Sequence, residues 1–459
     1  MFKRKSSEFE KIRGRILEGH IFKTIFWLAY PIIIANLVNM SYNLIDAYWL
    51  GKLGKQAFGA PTVSWPLIML FYAMGMGYAM AGISLISQYI GAGDYKQANK
   101  AAGNLISFMG IMALLISLLG YTISPIILAL MQVPPDVYSF AVNYIRVIFL
   151  GMPLTFIGFA FNTIANSLGD TRTPTIINII SSITNMVLDP LFIFGYLGFP
   201  KMGVIGAAVA TILSRSIVSF AGLYLLTTGY HKIKITTKDL GIEKWWIKKV
   251  LKIGTPLAIQ QSSNALGFTI MMSIVSRFGS VAIAAYGVAI RIIDIMQAFT
   301  WGINRAVSIM IGQNLGAENY ERAKIIATKA IMLIFSFLLV GSIIIFLTRD
   351  ITVSFFVPEE DVIIEGSRVL SIFTWSIPFF GLFFIGGGIA GGSGHTKVFA
   401  AISIIRLWVL RIGLSYVLGI LIGMGTIGIW TAMAISNIVA GILALLWVLR
   451  WGWLKRVID

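Results

Sequence analysis

The sequence predicts an all-α membrane protein whose twelve transmembrane helices form two pseudo-symmetric six-helix bundles, related as parallel repeats by an axis along the membrane normal. Two observations carry this prediction. The composition is strongly apolar, and the second half of the chain repeats the first at a fixed offset. Of 459 residues, 57% are hydrophobic and only 12% are charged, which leaves too few charges to cover a soluble protein of this size.

Continuous apolar runs, each long enough to cross a bilayer, recur along the chain. They are unbroken rather than alternating ten-residue segments, which favours helices over the strands of a barrel. We predict spans at residues 21–48, 57–88, 100–121, 137–163, 172–198, 203–228, 246–276, 284–313, 323–347, 362–389, 397–422 and 427–450.

The repeat has an offset of 225 positions, as from Gly91 to Gly316. Three pairs of segments carry it: Gly91–Ala98 with Gly316–Ala323, Gly169–Arg172 with Gly394–Lys397, and, after a slip of three residues, Met202–Gly206 with Met424–Gly428. Because each half holds six spans, both halves begin on the same side of the membrane. This arrangement is typical of transporters built from two bundles.

Basic residues predict the orientation. Seven Lys or Arg lie in residues 1–23 and seven more in residues 229–252, so the positive-inside rule places both termini in the cytoplasm of a plasma-membrane protein. This distribution argues against nucleic acid as the reason for the net charge of +17. We therefore expect a cytoplasmic tail at 1–20, an N-lobe at 21–228, a cytoplasmic linker at 229–245, a C-lobe at 246–450 and a second cytoplasmic tail at 451–459.

The sequence lacks the residues that several classes of chemistry require. The chain has no cysteine, and its three histidines are far apart in sequence, so we expect no disulfide, iron–sulfur cluster or cofactor. No phosphate-binding loop of the ATPase type occurs, and ATP is not the expected energy source. No nucleophile–base pair stands out in the spans, which argues against an intramembrane enzyme.

Ionisable groups inside a membrane are expensive, so the few that occur there point to function. Of nineteen acidic residues, we place only Asp46, Asp189 and Asp294 inside spans, with Glu365 at the outer end of the span 362–389. Asp294 lies three residues after Arg291, and this spacing predicts an intrahelical ion pair. Asp46 and Asp189 have no such neighbour and are the stronger functional candidates.

Each of these two acids ends a polar helical face. In span 1 the face consists of Asn36, Asn39, Asn43 and Asp46, at spacings of 3, 4 and 3. In span 5 it consists of Asn178, Ser182, Asn185 and Asp189. Because both spans run outward, the two carboxylates lie at similar depth, and we expect them to share a pocket.

The shared acids predict a site for H⁺ or Na⁺ built from oxygen ligands. We expect its ligands to be Asp46, Asn185, Asp189, Thr211 and Tyr144. We expect a substrate cavity between the lobes, lined by Asn36, Asn39, Asn43, Asn162, Ser182, Gln260 and Asn264. Pro31 and Pro190 interrupt the hydrogen bonding of spans 1 and 5 and are the expected hinges.

The duplication is chemically unequal. At the same offset Asp46 aligns with Met271 and Asp189 with Leu414. The second half therefore keeps the scaffold but lacks these acids, and we expect ion coupling to reside in the first bundle.

Taken together, these features resemble the multidrug and toxic compound extrusion (MATE) family over residues 16–450. The resemblance rests on the six-plus-six spans, the paired prolines Pro31 and Pro256, the Gly-Ala-Gly-Asp-Tyr turn at 91–95 and the stretch 166–174. It implies export of cationic or amphipathic compounds in exchange for Na⁺ or H⁺. The acid in span 1 and the Asn-x-x-x-Asp of span 5 resemble the DinF-like and archaeal branch, whose first-lobe cation site maps onto Asp46, Asn185, Asp189 and Thr211.

Three other functions are alternatives to export. A flippase for lipid-linked sugars is the main alternative, because Arg146, Arg215, Arg291 and Arg305 offer positive charge for a pyrophosphate group. A channel and an intramembrane enzyme fit the two-bundle repeat less well. Since both lobes lie in one chain, we expect a monomer whose partners are the bilayer and small cationic or amphipathic molecules.

Overall fold

The computed structural model describes residues 2–458, in which helices account for nearly all regular structure. The helices are α1 (Phe2–Glu18), α2 (Ile21–Lys52), α3 (Lys55–Ala92), α4 (Tyr95–Leu130), α5 (Pro135–Leu150), α6 (Met152–Ser167), α7 (Arg172–Phe194), α8 (Val204–Thr228), α9 (Lys244–Ser276), α10 (Gly279–Gly316), α11 (Tyr320–Leu347), α12 (Arg349–Phe356), α13 (Glu360–Phe373), α14 (Ile377–Ser393), α15 (Thr396–Ile404) and α16 (Gly425–Leu449). Between α15 and α16 the chain is π-helical at Ile405–Gly413 and Val417–Leu421.

All twelve predicted spans occur as helices. In residues 2–458, ten spans are long and apolar enough to cross a membrane, and α5 with α6 makes an eleventh, bent by 47°. The bend lies at Gly151, two residues before Pro153 in the first turn of α6. The remaining span is α9, which falls below the same measure of apolarity because a polar stretch runs from Gln260 to Asn264.

The chain forms two compact units. The first unit comprises the chain up to Arg15 together with Tyr30–Ser262, and the second comprises Ile16–Ala29 together with the chain from Ser263 onward. The units therefore divide α2 after Ala29 and α9 after Ser262. That the folded domains of the chain are lobes at 21–228 and 246–450 stays a prediction.

The repeat is visible in the way equivalent helices begin. Asp94 caps α4 by accepting a hydrogen bond from the Gln97 backbone N–H at 3.0 Å. The equivalent Asn319 caps α11 by accepting one from the Arg322 backbone N–H at 3.3 Å. Short polar side chains at this position satisfy backbone donors that the helix leaves free, so the repeated sequence encodes a repeated helix start.

The residue before each cap has a left-handed backbone, with φ of 76° at Gly93 and 58° at Glu318. Glycine adopts this conformation without strain, whereas other residues do not. We expect Gly93→Ala to lower the free energy of unfolding by about 1 kcal/mol. We expect Glu318→Gly not to lower it, because that change relieves the same strain. Thermal unfolding of the purified variants in detergent checks both, and equal losses in the two would contradict the strain.

Two equivalent glycines allow helices to approach closely. A Cβ added at Gly206 of α8 would lie 2.5 Å from the carbonyl carbon of Phe192 on α7. A Cβ added at Gly428 of α16 would lie 2.7 Å from the carbonyl carbon of Leu418. Only glycine permits backbones this close. In the first unit this contact fixes the end of α7 that carries Asp189.

Candidate functional site

The two acids predicted to share a pocket meet in the first unit. The carboxyl group of Asp46 on α2 contacts that of Asp189 on α7 within hydrogen-bonding reach. Asp189 is fully buried, and Asn185 Nδ2 donates to its Oδ1 at 3.2 Å. The polar faces of α2 and α7 thus meet at the acids that end them.

Three oxygen atoms around this carboxyl pair are buried and receive no hydrogen bond: Asp46 Oδ1, Asp189 Oδ2 and Asn185 Oδ1. Two carboxyl groups in contact do not both carry a negative charge unless a proton or cation lies between them. Oxygens are also the ligands that hard cations prefer. The pair therefore has the chemistry to hold one proton or one small cation.

Tyrosine and arginine side chains surround the pair. The hydroxyl of Tyr42 hydrogen-bonds with Thr211 and with Arg215, and the Arg215 guanidinium lies 5.1 Å from the centroid of the Tyr72 ring. Tyr144 is buried close enough to Asp46 and Tyr42 to interact with their charges. The structure thus places Tyr144 near Asp46, and Thr211 in contact with Tyr42.

Sequence reasoning missed Tyr42 and Tyr72, and it considered Arg215 only as a phosphate ligand. A signal was present for two of them. Tyr42 lies four residues before Asp46, and Arg215 lies four residues after Thr211, so each shares a helical face with a predicted site residue. Tyr72, on α3, has no comparable signal in its spacing.

The predicted cavity residues have varied surroundings. Asn162 Oδ1 accepts a hydrogen bond from Asn178 Nδ2 at 2.9 Å, which joins α6 to the polar face of α7. Gln260 is buried. Four others are exposed or partly exposed: Asn36, Asn39, Asn43 and Ser182. Asn264, which belongs to the second unit, is also partly exposed. Their role in binding substrate stays a prediction.

The predicted hinges lie inside unbroken helices. Pro31 is within α2 and Pro190 is within α7, and both helices continue past the proline. Bending at either residue stays a prediction. Elsewhere in the spans, Asp294 is partly buried and near Arg291, but in the described part of the chain the two side chains do not form the predicted ion pair.

Asp170, another acidic residue of the first unit, has a structural role. Asp170 Oδ1 accepts hydrogen bonds from the backbone N–H groups of Arg172 and Thr173, both at 3.0 Å, at the start of α7. Its Oδ2 accepts from the Tyr230 hydroxyl at 2.6 Å and lies 3.1 Å from His231 Nε2. Burial tends to raise the pKa of Asp170, but the hydrogen bonds, led by that from His231, lower it to about 2.

Because the pKa of Asp170 is lowered, its carboxylate stabilises the folded protein above pH ~4 and loses this effect as the pH falls through ~2. We expect Asp170→Asn to lower the free energy of unfolding at neutral pH by about 2 kcal/mol. Asp94→Asn is the matched control, since asparagine caps a helix as well as aspartate. Thermal unfolding measured toward low pH should show the Asp170→Asn deficit shrinking below pH ~4, and a deficit independent of pH would contradict this account.

With this geometry established, comparison with known proteins gives the family. A family model described as MatE matches residues 31–191 and 256–417, one copy in each half. The probable multidrug resistance protein YoeA of Bacillus subtilis (strain 168) is 27% identical over 414 residues, 89% of each chain. The FAD transporter of Shewanella oneidensis is 25% identical over 338 residues, 73% of this chain and 74% of its own.

A solved structure has the same architecture. It is described as an outward-facing conformation of a multidrug resistance MATE family transporter of the MOP superfamily. It is 25% identical, covers 96% of this chain and 98% of its own, and superposes with a TM-score of 0.88. The two segments matched by the family model cover more than half of the chain and coincide with the internal repeat. The chain therefore belongs to the MatE family and is a multi-pass membrane transporter rather than an enzyme.

Proposed function

We propose that the protein is a cation-coupled multidrug efflux antiporter that exports cationic or amphipathic compounds in exchange for H⁺ or Na⁺ by alternating access. The observation that carries the proposal is the buried contact between Asp46 and Asp189, with three neighbouring oxygens that lack donors. We further propose that it acts as a monomer in the plasma membrane with both termini in the cytoplasm. The distribution of basic residues supports the orientation, and the presence of both lobes in one chain supports the monomer.

In this mechanism the carboxyl pair binds the coupling cation when the site faces outward. Uptake of one proton or cation lowers the negative charge of the Asp46–Asp189 pair by one, which weakens its attraction for a cationic substrate, and the substrate is released outside. Rocking of the bundles then exposes the pair to the cytoplasm, where the coupling ion leaves. A membrane potential of 100 mV supplies about 2.3 kcal/mol per charge moved, and a tenfold ion gradient adds about 1.4 kcal/mol.

The positions of Tyr42 and Arg215 support a two-state site. Arg215 is hydrogen-bonded to Tyr42 and lies over Tyr72, so a fixed positive charge stands near the carboxyl pair. When the carboxyl pair holds no coupling ion, its negative charge offsets the positive charge of Arg215. When the pair has bound a proton or cation, the local net charge becomes more positive. Because the site is more positive once the coupling ion is bound, it repels a bound cationic substrate in that state.

Relatives of this chain are named for different transported compounds, so the chemical class of its substrate has to be tested by comparing compounds. YoeA is named a probable multidrug resistance protein, whereas another relative is named an FAD transporter. A flippase for lipid-linked sugars remains the alternative, supported by arginines within the spans such as Arg146, whose Nε is buried without a hydrogen-bond partner.

Transport by purified protein in proteoliposomes tests the proposal. Vesicles are loaded with a fluorescent cationic dye, and a Na⁺ gradient and a pH gradient are imposed separately, with protein-free vesicles as the control. We expect one of the two gradients to drive dye movement, which names the coupling ion. Dye movement driven by neither gradient, together with translocation of a fluorescent lipid, would contradict antiport and favour the flippase.

A further inference from the structure

Two arginines of the second unit lie in the membrane-spanning part of the chain without an acidic partner. Arg406 is 6% exposed, and its Nε and Nη1 atoms are buried without a hydrogen-bond partner. Arg411 donates to Ser436 Oγ at 3.1 Å and to Asn437 Oδ1 at 2.6 Å, both of which are neutral. In the described part of the chain neither guanidinium forms an ion pair.

A buried carboxylate of the same unit is engaged elsewhere. Glu365 Oε2 accepts a hydrogen bond from Arg368 Nη1 at 2.7 Å, and Oε1 accepts one from Trp430 Nε1 at 2.8 Å. Both oxygens of Glu365 are thus occupied by other donors. Among the residues whose side chains the structure describes, no acid compensates the charges of Arg406 and Arg411, an arrangement that is expensive in a membrane and marks function.

The two arginines are held close together. They lie five residues apart in the π-helical segment Ile405–Gly413, where the hydrogen bonds join residues five apart and place such side chains on one face. Arg411 lies near enough to act on the charge of Arg406. The guanidinium of Arg406 is 5.4 Å from the centroid of the Phe380 ring and 4.8 Å from that of Phe383, so aromatic faces hold it in place.

This cluster reverses the charge of its counterpart in the repeat. The span that contains Arg406 and Arg411 aligns at the offset of 225 with the span that contains Asp189, and Asp189 itself aligns with Leu414. The first unit thus offers one carboxylate on this helix, Asp189, where the second offers two guanidinium groups. Arginine recognises phosphate and carboxylate through several donors at once.

We propose that Arg406 and Arg411 form an anion-binding subsite that takes the phosphate or carboxylate group of an amphipathic molecule. Phe380 also lines a small pocket together with Leu338 and Ile377, so apolar side chains adjoin the guanidinium. The inference goes beyond the proposed function, because the carboxyl pair of the first unit takes no part in it.

Equilibrium binding tests this subsite without a gradient, so its failure is distinct from a failure of antiport. The probes are riboflavin 5′-phosphate and riboflavin, which share a fluorescent ring and differ by one phosphate, added to the full-length protein in neutral detergent. We expect the phosphate ester to bind at least about tenfold more tightly. Arg406→Gln should remove this difference, and Arg277→Gln, which removes an exposed positive charge of the same unit, should keep it.

A lipid arm separates the two sources of the anion. If phosphatidylglycerol, but not phosphatidylcholine, raises the unfolding temperature of wild type and not of Arg406→Gln, the subsite takes a lipid phosphate. If the flavin phosphate acts alone in this way, the anion belongs to a soluble molecule. Both outcomes support the subsite, whereas anion effects that are absent or equal in wild type and Arg406→Gln overturn it.

The variant Arg406→Met distinguishes anion binding from a purely structural role of Arg406. Methionine keeps an unbranched side chain against Phe380 and Phe383 but removes the unpaired charge. We expect its unfolding temperature without added anion to equal or exceed that of wild type, since apolar replacement of a buried charge is often stabilising. We also expect its stabilisation by anions to be lost. A large fall in unfolding temperature with an unchanged response to anions would overturn the proposal.

Discussion

Replacing Asp189 with asparagine should abolish gradient-driven transport while leaving a folded protein. Asp189 is fully buried and touches the carboxyl group of Asp46. An amide of the same shape accepts the hydrogen bond of Asn185 but does not take up a proton or balance a cation. We expect the initial rate of dye exchange in proteoliposomes to fall at least about 100-fold, with expression and unfolding temperature close to those of wild type.

Three further variants make this result specific. Asp46→Asn should cause a loss of similar size, and the double variant should be no worse than either single variant, because residues that act as a unit are not additive. Asp294→Asn removes another acid within a span and should retain most activity. An Asp189→Asn protein that exchanges dye at the wild-type rate would refute the role given to the carboxyl pair.

Replacing Gly206 with alanine should cause the largest loss of stability. The added methyl group would lie 2.5 Å from the carbonyl carbon and oxygen of Phe192, and backbone atoms cannot turn away as a flexible side chain can. The helices α7 and α8 would have to separate, at a cost of about 2–3 kcal/mol. Because Phe192 lies one turn after Asp189, this shift should also slow transport.

Gly287→Ala is the matched control for this change. Gly287 lies within α10, and an added Cβ would meet no atom within 4 Å, so alanine should stabilise the helix by about 0.5–1 kcal/mol. Thermal unfolding of both variants in the same detergent gives the comparison. Equal unfolding temperatures for Gly206→Ala and wild type would show that α7 and α8 do not depend on this contact.

Much of the fold could be predicted because the relevant signals are local. Apolar length fixes the spans, and the short polar residues Asp94 and Asn319 begin helices at equivalent places in the two halves. The span at α9 was predicted as a helix although Gln260 and its polar neighbours make it less apolar than the others. The division of α2 after Ala29 depends on packing between segments that are distant in sequence. The spacing of residues along the chain does not predict such packing.

The site could be predicted where a helical face carries several polar residues. Asp46 and Asp189 each end such a face, and the structure brings their carboxyl groups together. Tyr72 contributes through an aromatic ring over Arg215, and in an apolar helix one aromatic residue looks like any other. The sequence does not predict that Arg406 Nε and Nη1 lack hydrogen-bond partners, because this depends on what the neighbouring side chains bind in three dimensions.

The central claim is that the carboxyl pair holds a cation which the substrate displaces. Proton release on substrate binding tests it directly, with purified protein in weakly buffered, Na⁺-free detergent solution across the neutral pH range. By linkage, a saturating cationic dye should release about one proton per wild-type molecule, and Na⁺ added beforehand should reduce the release if Na⁺ shares the site. Asp46→Asn and Asp189→Asn should bind dye without releasing a proton. Equal release by wild type and both variants, or dye binding to wild type without any release in Na⁺-free solution, would contradict the account.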